Sequence, residues 1–355
     1  MTDIFTHMDQ ITPAWLTSCL QGHGLLSNGH VVSLSGREET TAIGSVICQI
    51  AVHYSDDATP SAPRQLFLKS GSSDEADNDD WRGEVEFYSH IAIEDATFAV
   101  PCYHATYASQ PAQFHLLLAD LSATHARAQW PLPATHQQLE QAIDCLAQLH
   151  ISWWEHPRLG RDVQPRFVET SLDQWLKTWE EQLTSYLGFV GDRLSPRRRA
   201  LYEWALPRLL TRLLQRRKDG QHYTIAHQDA HPYNFLFPHG SPDQSTRLVD
   251  WATWDVELGA RDLAYLIALH LFPEERKLVE QPLLQRYQAH LHASGIHSYS
   301  WKQLWDDYRL FVIWNLFVPV EQFCFHVPAY IWWGHVERSF LAFDDLRCSE
   351  LLEAV

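Results

Sequence analysis

The sequence predicts an α+β protein of two lobes: a β-rich N-terminal lobe with one main helix, a hinge, and a larger, mostly helical C-terminal lobe. Three observations carry this reading. The first third alternates short strand-like runs with turns, and from Thr135 onward apolar residues recur at helical spacing. Within that helical half only three short runs read as strands, around Tyr223 to Ile225, Phe235 to Phe237 and Arg247 to Asp250. At 355 residues the chain is long enough for such a division, which the pattern draws as 1–118, a hinge at 119–122, and 123–355.

The elements follow in order. Pro13 after Thr12 opens a short helix through Trp15, Leu16 and Leu20, with Thr12 as its N-cap. Val31 to Leu34 and Ile43 to His53 read as strands, separated by the polar segment Ser35 to Thr41. Gln65 to Lys69 is a strand ending at a lysine. The acidic stretch Asp74 to Asp80 leads into a helix through Glu84, Phe87, Tyr88 and Ile91, and the strand-like Phe114 to Leu118 leads to a hinge at Ala119-Asp120-Leu121. In the second lobe Thr135 and Gln138 form a capping-box pattern, after which Leu139, Ile143, Leu146 and Leu149 mark a helical face. Further helices are expected over Leu172 to Tyr186, Pro196 to Arg216, Asp262 to Leu271, Glu274 to Leu291, Lys302 to Phe317 and Ala329 to Asp344.

Bulk composition narrows the function classes. Hydrophobic residues make up 45% and charged residues 20%, as in ordinary globular proteins. A formal net charge of −17 repels nucleic acid and anionic lipid, so neither is an expected partner. Six dispersed cysteines without a C-x-x-C pair read as reduced thiols. Met1 to His7 lacks the basic and apolar regions of a signal peptide, and the most apolar window, Leu310 to Val320, is too short to span a membrane. The expectation is a cytoplasmic protein.

The chemistry-bearing stretch is His227-Gln228-Asp229-Ala230-His231-Pro232-Tyr233-Asn234, followed by Arg247-Leu248-Val249-Asp250. Two carboxylates and an amide at this spacing across a strand–loop–strand hairpin suit a site that moves a phosphoryl group. Asp229 would orient the accepting hydroxyl, while Asn234 and Asp250 would hold Mg²⁺ against the phosphates of ATP with hard oxygen ligands. Lys69 supplies a cation for those phosphates, with Glu84 as its partner. The segment Ser35 to Ser45, with Gly44 and Ser45 at its end, could cover the phosphates with backbone N–H groups; an ordinary hairpin loop fits it equally well. Leu118 and Asp120 fall where a hinge would present backbone groups to an adenine.

These residues carry a resemblance. Ile11 to Leu16, Arg82 to Tyr88, Leu116 to Leu121, Leu146 to His150, Ser152 to Trp154, His227-x-Asp229-x-His231-x-x-Asn234, Val249-Asp250-Trp251 and Gly259-x-x-Asp262-Leu263-Ala264 together resemble the aminoglycoside phosphotransferase and choline kinase superfamily, most closely its ecdysteroid kinase-like branch. The resemblance implies a protein-kinase-like bilobal fold. It implies Asp229 as catalytic residue, Asn234 and Asp250 as Mg²⁺ ligands, Lys69 with Glu84 as phosphate anchor, and Asp262 as a structural carboxylate. His227 would brace the loop, His231 would serve as scaffold, and Gln228 stands where a glycine is common.

The acceptor is expected to be a small-molecule hydroxyl compound, an aromatic or apolar alcohol or an antibiotic-like molecule. Trp251, Trp254, Asp255, Trp332, Trp333, His335 and Glu337 are candidates to line its site, with core packing as the competing role for the tryptophans. Three rivals stand beside this reading. A metal hydrolase would use His222, His227, Asp229 and His231 as a Zn²⁺ cluster, but it gives Lys69, Glu84, Asn234 and Asp250 no task. A nucleotide-binding pseudokinase or scaffold would keep the same residues without turnover. A protein kinase would need an activation-loop-sized insertion between Asp250 and Asp262, which the sequence lacks.

Overall fold

The computed structural model describes residues 4–40, 45–73, 79–92, 96–165, 172–239 and 244–353. The chain divides into two compact units, one formed by 1–126 with 236–254, the other by 127–235 with 255–355.

The first unit is built on an antiparallel five-stranded sheet of β1 (Val31–Thr40), β2 (Val46–Tyr54), β3 (Gln65–Ser73), β4 (Cys102–Ser109) and β5 (Ala112–Ala119), in the order β1-β2-β3-β5-β4. Helix α1 (Pro13–Gly22) starts where expected, with the Thr12 side chain accepting the Trp15 N–H and Pro13 in the first turn. It sets Leu16 and Leu20 against Ile50, Leu66, Leu68 and Leu117, all fully buried, and each such leucine contributes about 1.5–3 kcal/mol. Helix α2 (Asp79–Glu86) runs into a wider π-type turn over Phe87–Ile91. Short strands β6 (His125–Arg127), β8 (Phe235–Pro238) and β9 (Arg247–Leu248) form a small sheet in the order β6-β8-β9.

The second unit is mostly helical: α3 (His136–Ser152), α4 (Leu172–Val190), α5 (Pro196–Lys218), α6 (Ala260–Ala264), α7 (Pro273–Ala293), α8 (Trp301–Trp314), α9 (Val318–Cys324), α10 (Ala329–Asp345) and α11 (Ser349–Glu353). The Thr135–Gln138 capping box closes reciprocally at the start of α3, and Leu139, Ile143, Leu146 and Leu149 are its buried face, packed toward α7. One hairpin-like pair, β7 (Tyr223–Ala226) with β10 (Asp255–Leu258), runs antiparallel in register Ala226 to Asp255. Among the described residues no helix is long and apolar enough to cross a membrane.

Four details differ from the sequence reading. The polar run Ser35 to Thr40 is strand, not connection: β1 pairs with β2 through Thr40, and as a sheet edge it tolerates charged side chains. Lys69 sits within β3 rather than at its end, opposite Ile47 and Leu116. The helix expected over Asp262 to Leu271 is α6 followed by a π-type turn, Tyr265–Leu269. Residues 236–254 pack with the first unit rather than with 123–355, because Leu248 bridges Ala99, Trp251 stacks on Phe87 and Trp254 donates to the Gly83 carbonyl.

Candidate active site

The first unit holds a three-residue ion cluster. Lys69, projecting from β3, places its ammonium 2.7 Å from Glu84 Oε2 on α2 and 2.9 Å from Asp250 Oδ1, just beyond β9. The three come from positions up to 181 residues apart, and only the fold joins them. Burial alone would push the Lys69 ammonium down, yet Glu84 and Asp250 outweigh it and raise its pKa above the lysine range. Burial likewise raises the Glu84 carboxyl, opposed by Lys69, and the Trp251 N–H bonds it as well. Asp250 adopts φ 68°, a left-handed conformation that costs a non-glycine residue about 1 kcal/mol or more and is typical of side chains held for a task.

The second unit holds the loop that follows β7. Asp229 Oδ1 accepts from the Tyr265 hydroxyl at 2.7 Å, and Asp229 Oδ2 lies 3.1 Å from Asn234 Nδ2 and 3.6 Å from His231 Nε2. Asn234 spends its amide nitrogen on the Asp229 carbonyl and carboxylate, which leaves Oδ1 as the oxygen this side chain can present.

Beneath the loop lies a buried carboxylate. Asp262 Oδ2 accepts the His227 N–H and Oδ1 the Gln228 N–H, each at 2.7 Å, and His150 Nε2 is 3.1 Å from Oδ2. His150 in turn pairs with the Tyr287 hydroxyl at 2.9 Å. Burial pushes the Asp262 carboxyl up, but the bonds from His150 and His227 prevail and hold it below the ordinary range. Gly259 makes the network possible: a Cβ there would fall 2.5 Å from both His150 Nδ1 and the Tyr287 oxygen. His227 is fully buried, its Nδ1 accepting the Asp229 N–H at 3.3 Å, so it stiffens the loop. Gln228 has φ 67°, which explains why a glycine would be at ease there.

The other candidates fall in different places. Gly44 lies outside the described residues, and Ser45 is fully buried. Leu118 is buried on β5. Asp120 is engaged locally, accepting from Gln49 Nε2 and from the Ser122 N–H, and despite burial these bonds hold its carboxyl low. Trp251 is fully buried with its ring stacked 3.6 Å from Phe87, and Trp254 is spent on Gly83, so both serve the core of the first unit and offer no face to an acceptor. Asp255 is buried on β10, Trp332 is buried with its Nε1 on the Val327 carbonyl, and Trp333 is exposed. Among the described residues no group of three or more His, Cys, Asp or Glu side chains is arranged to hold a metal ion. Each unit offers a hard oxygen of the kind Mg²⁺ takes, the Asp250 carboxylate in the first and the Asn234 amide oxygen in the second.

Sequence reasoning missed Tyr265 as the partner of Asp229, and left His150 without a role. Tyr265 follows the Asp262 helix start by one turn, but nothing local marks its hydroxyl as facing Asp229.

The fold is similar to those of several solved structures. It matches a protein of Ralstonia eutropha JMP134 assigned as an aminoglycoside phosphotransferase with TM-score 0.55 at 12% identity, covering 94% of this chain and 97% of that one. A choline kinase from Streptococcus pneumoniae matches at TM-score 0.44 and 14% identity, covering 92% and 94%. A protein of Haemophilus somnus 129PT assigned as a fructosamine-3-kinase matches at 0.49 and 13%, covering 93% and 96%. No curated protein matches the sequence significantly. The chain belongs to the ecdysteroid kinase-like family, whose model matches residues 83–297.

Proposed function

We propose that this protein is an ATP- and Mg²⁺-dependent phosphotransferase that phosphorylates a hydroxyl of a small molecule, an aromatic or apolar alcohol or an antibiotic-like compound. The observation that carries the reading is the Lys69 ammonium held between Glu84 and Asp250. A partly buried cation between two carboxylates from separate elements is costly to assemble and gains its use when phosphates arrive. The reading requires this cluster and the Asp229 loop to serve one nucleotide.

In that reaction the acceptor oxygen forms a bond to the γ-phosphorus, the bond from that phosphorus to the β-phosphate oxygen breaks, and ADP leaves. Asp229 orients the hydroxyl and takes its proton. Tyr265 fixes one oxygen of Asp229 and Asn234 Nδ2 the other, so the carboxylate is held in place and meets the acceptor through its remaining lone pairs. Lys69 anchors the phosphates, and Asn234 and Asp250 would hold the metal. Bound Mg²⁺ supplies charge neutralisation at the phosphates. Most of the barrier reduction then comes from positioning and electrostatics, not covalent chemistry.

The test is a pair of variants assayed for ADP release over hydroxylated metabolites and antibiotics, with ATP binding followed by calorimetry. Asp229→Ala should abolish transfer and spare ATP binding. Asp250→Ala should lose the Mg²⁺-dependent part of nucleotide affinity. ATP binding without turnover of any acceptor would favour a nucleotide-binding scaffold, and wild-type turnover by Asp229→Ala would overturn the assignment.

A further inference from the structure

Helix α10 carries Gly334, His335 and Arg338 at i, i+1 and i+4, and it packs on the π-type turn that delivers Tyr265 to Asp229. Arg338 is half-buried, yet among the described residues no carboxylate lies within ion-pair reach of it. Among the described residues its one side-chain hydrogen bond is a long one, Nη1 to the Leu269 carbonyl at 3.4 Å, and its guanidinium stands 4.8 Å from the ring centre of half-exposed Phe272. The missing side chain of Gly334, 3.7 Å from Nη2, leaves it room to lie along the helix.

Comparable arginines in the same unit are better satisfied. Arg216 forks onto Asp307, Arg276 meets Glu280 and Asp345, and Arg199, which has no carboxylate, has two backbone carbonyls at 3.1 Å. Burial presses on the Arg338 guanidinium and lowers its pKa from the usual arginine value.

Nor do its neighbours supply the missing charge. His335 and His270 face each other at 4.8 Å, and burial, with Arg338 nearby, keeps both neutral, His335 down at about 3. His231 continues the row, 5.7 Å from His270 and 3.6 Å from Asp229, and its Nδ1 is buried without a hydrogen-bond partner among the described residues. Glu321 on α9 is raised by burial to about 7, so only about half of it is charged at neutral pH. A desolvated guanidinium thus ends a row of imidazoles, His335 and His270 held neutral, that begins with His231 beside the proposed catalytic carboxylate.

Resting on the phosphotransferase reading, we propose that Arg338 is the anion-binding residue of the acceptor site, and that the acceptor is a hydroxyl compound carrying a carboxylate that this guanidinium pairs with. Neutral imidazoles beside it would hydrogen-bond such an acid without competing for its charge, whereas a cationic acceptor would meet like charge.

The test uses matched sets such as 4-(hydroxymethyl)benzoate, its methyl ester and 4-(aminomethyl)benzyl alcohol, measured by calorimetry with ADP present and by ADP release with ATP. Wild-type protein should prefer the carboxylate member in each set. Arg338→Gln should weaken its binding at least tenfold and raise its KM with a smaller effect on kcat, and Arg338→Lys should recover part of the loss. Preference for the neutral or cationic members, no binding of any carboxylate, or carboxylate binding within twofold in Arg338→Gln would overturn the proposal. Carboxylate binding lost in Arg338→Gln, but with no ADP release by wild type, would uphold the anion site and defeat the kinase reading instead.

Discussion

Asp262→Ala is the perturbation whose cost the structure defines best. The carboxylate accepts two backbone N–H groups at 2.7 Å and faces His150 Nε2 at 3.1 Å, with Asp262, His150 and His227 fully buried and Gln228 partly so. Each orphaned buried donor costs about 1–3 kcal/mol, and breaking a buried charged network typically costs about 3–5 kcal/mol in total. Asp262→Ala should therefore lose about 3–5 kcal/mol, a large share of the roughly 5–15 kcal/mol that holds a domain folded. Asp262→Asn keeps one acceptor but turns a donor toward the other N–H, and should lose about half as much. Urea unfolding compares the variants, and hydrogen exchange should show faster exchange at the His227 and Gln228 amides. The pH dependence has a definite sign. Because the folded carboxyl titrates below its unfolded value of about 3.9, its contribution is complete above that pH and fades as pH falls through the lower folded value. A loss under about 1 kcal/mol for Asp262→Ala would refute the view that this carboxylate holds the loop.

Other expectations follow from the same geometry. Gln228→Gly relieves a φ of 67°, so stability should stay level or rise by up to about 1 kcal/mol, whereas Gln228→Val should destabilise by more than about 1 kcal/mol; thermal unfolding separates the two. Gly259→Ala drives a methyl to within 2.5 Å of His150 and Tyr287 and should cost at least about 1–3 kcal/mol, read by the same melts. In the first unit, burial and His104 hold His115 neutral down to about pH 3, its Nδ1 accepting the Phe5 N–H. Its folded pKa lies below the unfolded value of about 6.5, so stability should decline as pH falls from about 6.5 toward 3, and Trp15, edge-on to Phe5, should report that loosening by fluorescence.

Much of this molecule is legible locally. Thr12 and Thr135 cap the helices their sequences announce, because N-cap chemistry acts within three residues. The short strands around residues 223, 235 and 247 stand out against helical surroundings for the same reason. The spacing from Asp229 to Asn234 also reads directly. What escapes is long-range. β1 looks like a loop beyond Leu34 because an edge strand need not alternate apolar residues, and β4, the opposite edge, hides similarly. Trp251 beside a metal-ligand candidate suggests a pocket wall, and only its stacking on Phe87 reveals a core residue. Tyr265, Tyr287 and Arg338 acquire meaning from partners that no sequence spacing connects to them.

The central claim rests most directly on phosphoryl transfer itself. Phosphorus NMR of the protein with ATP, Mg²⁺ and a mixture of hydroxylated compounds should show ADP and a new phosphate monoester with wild type, and neither with Asp229→Ala while ATP remains bound. Monoester formation at the same rate by both proteins, or failure of the wild type to bind ATP, would contradict it.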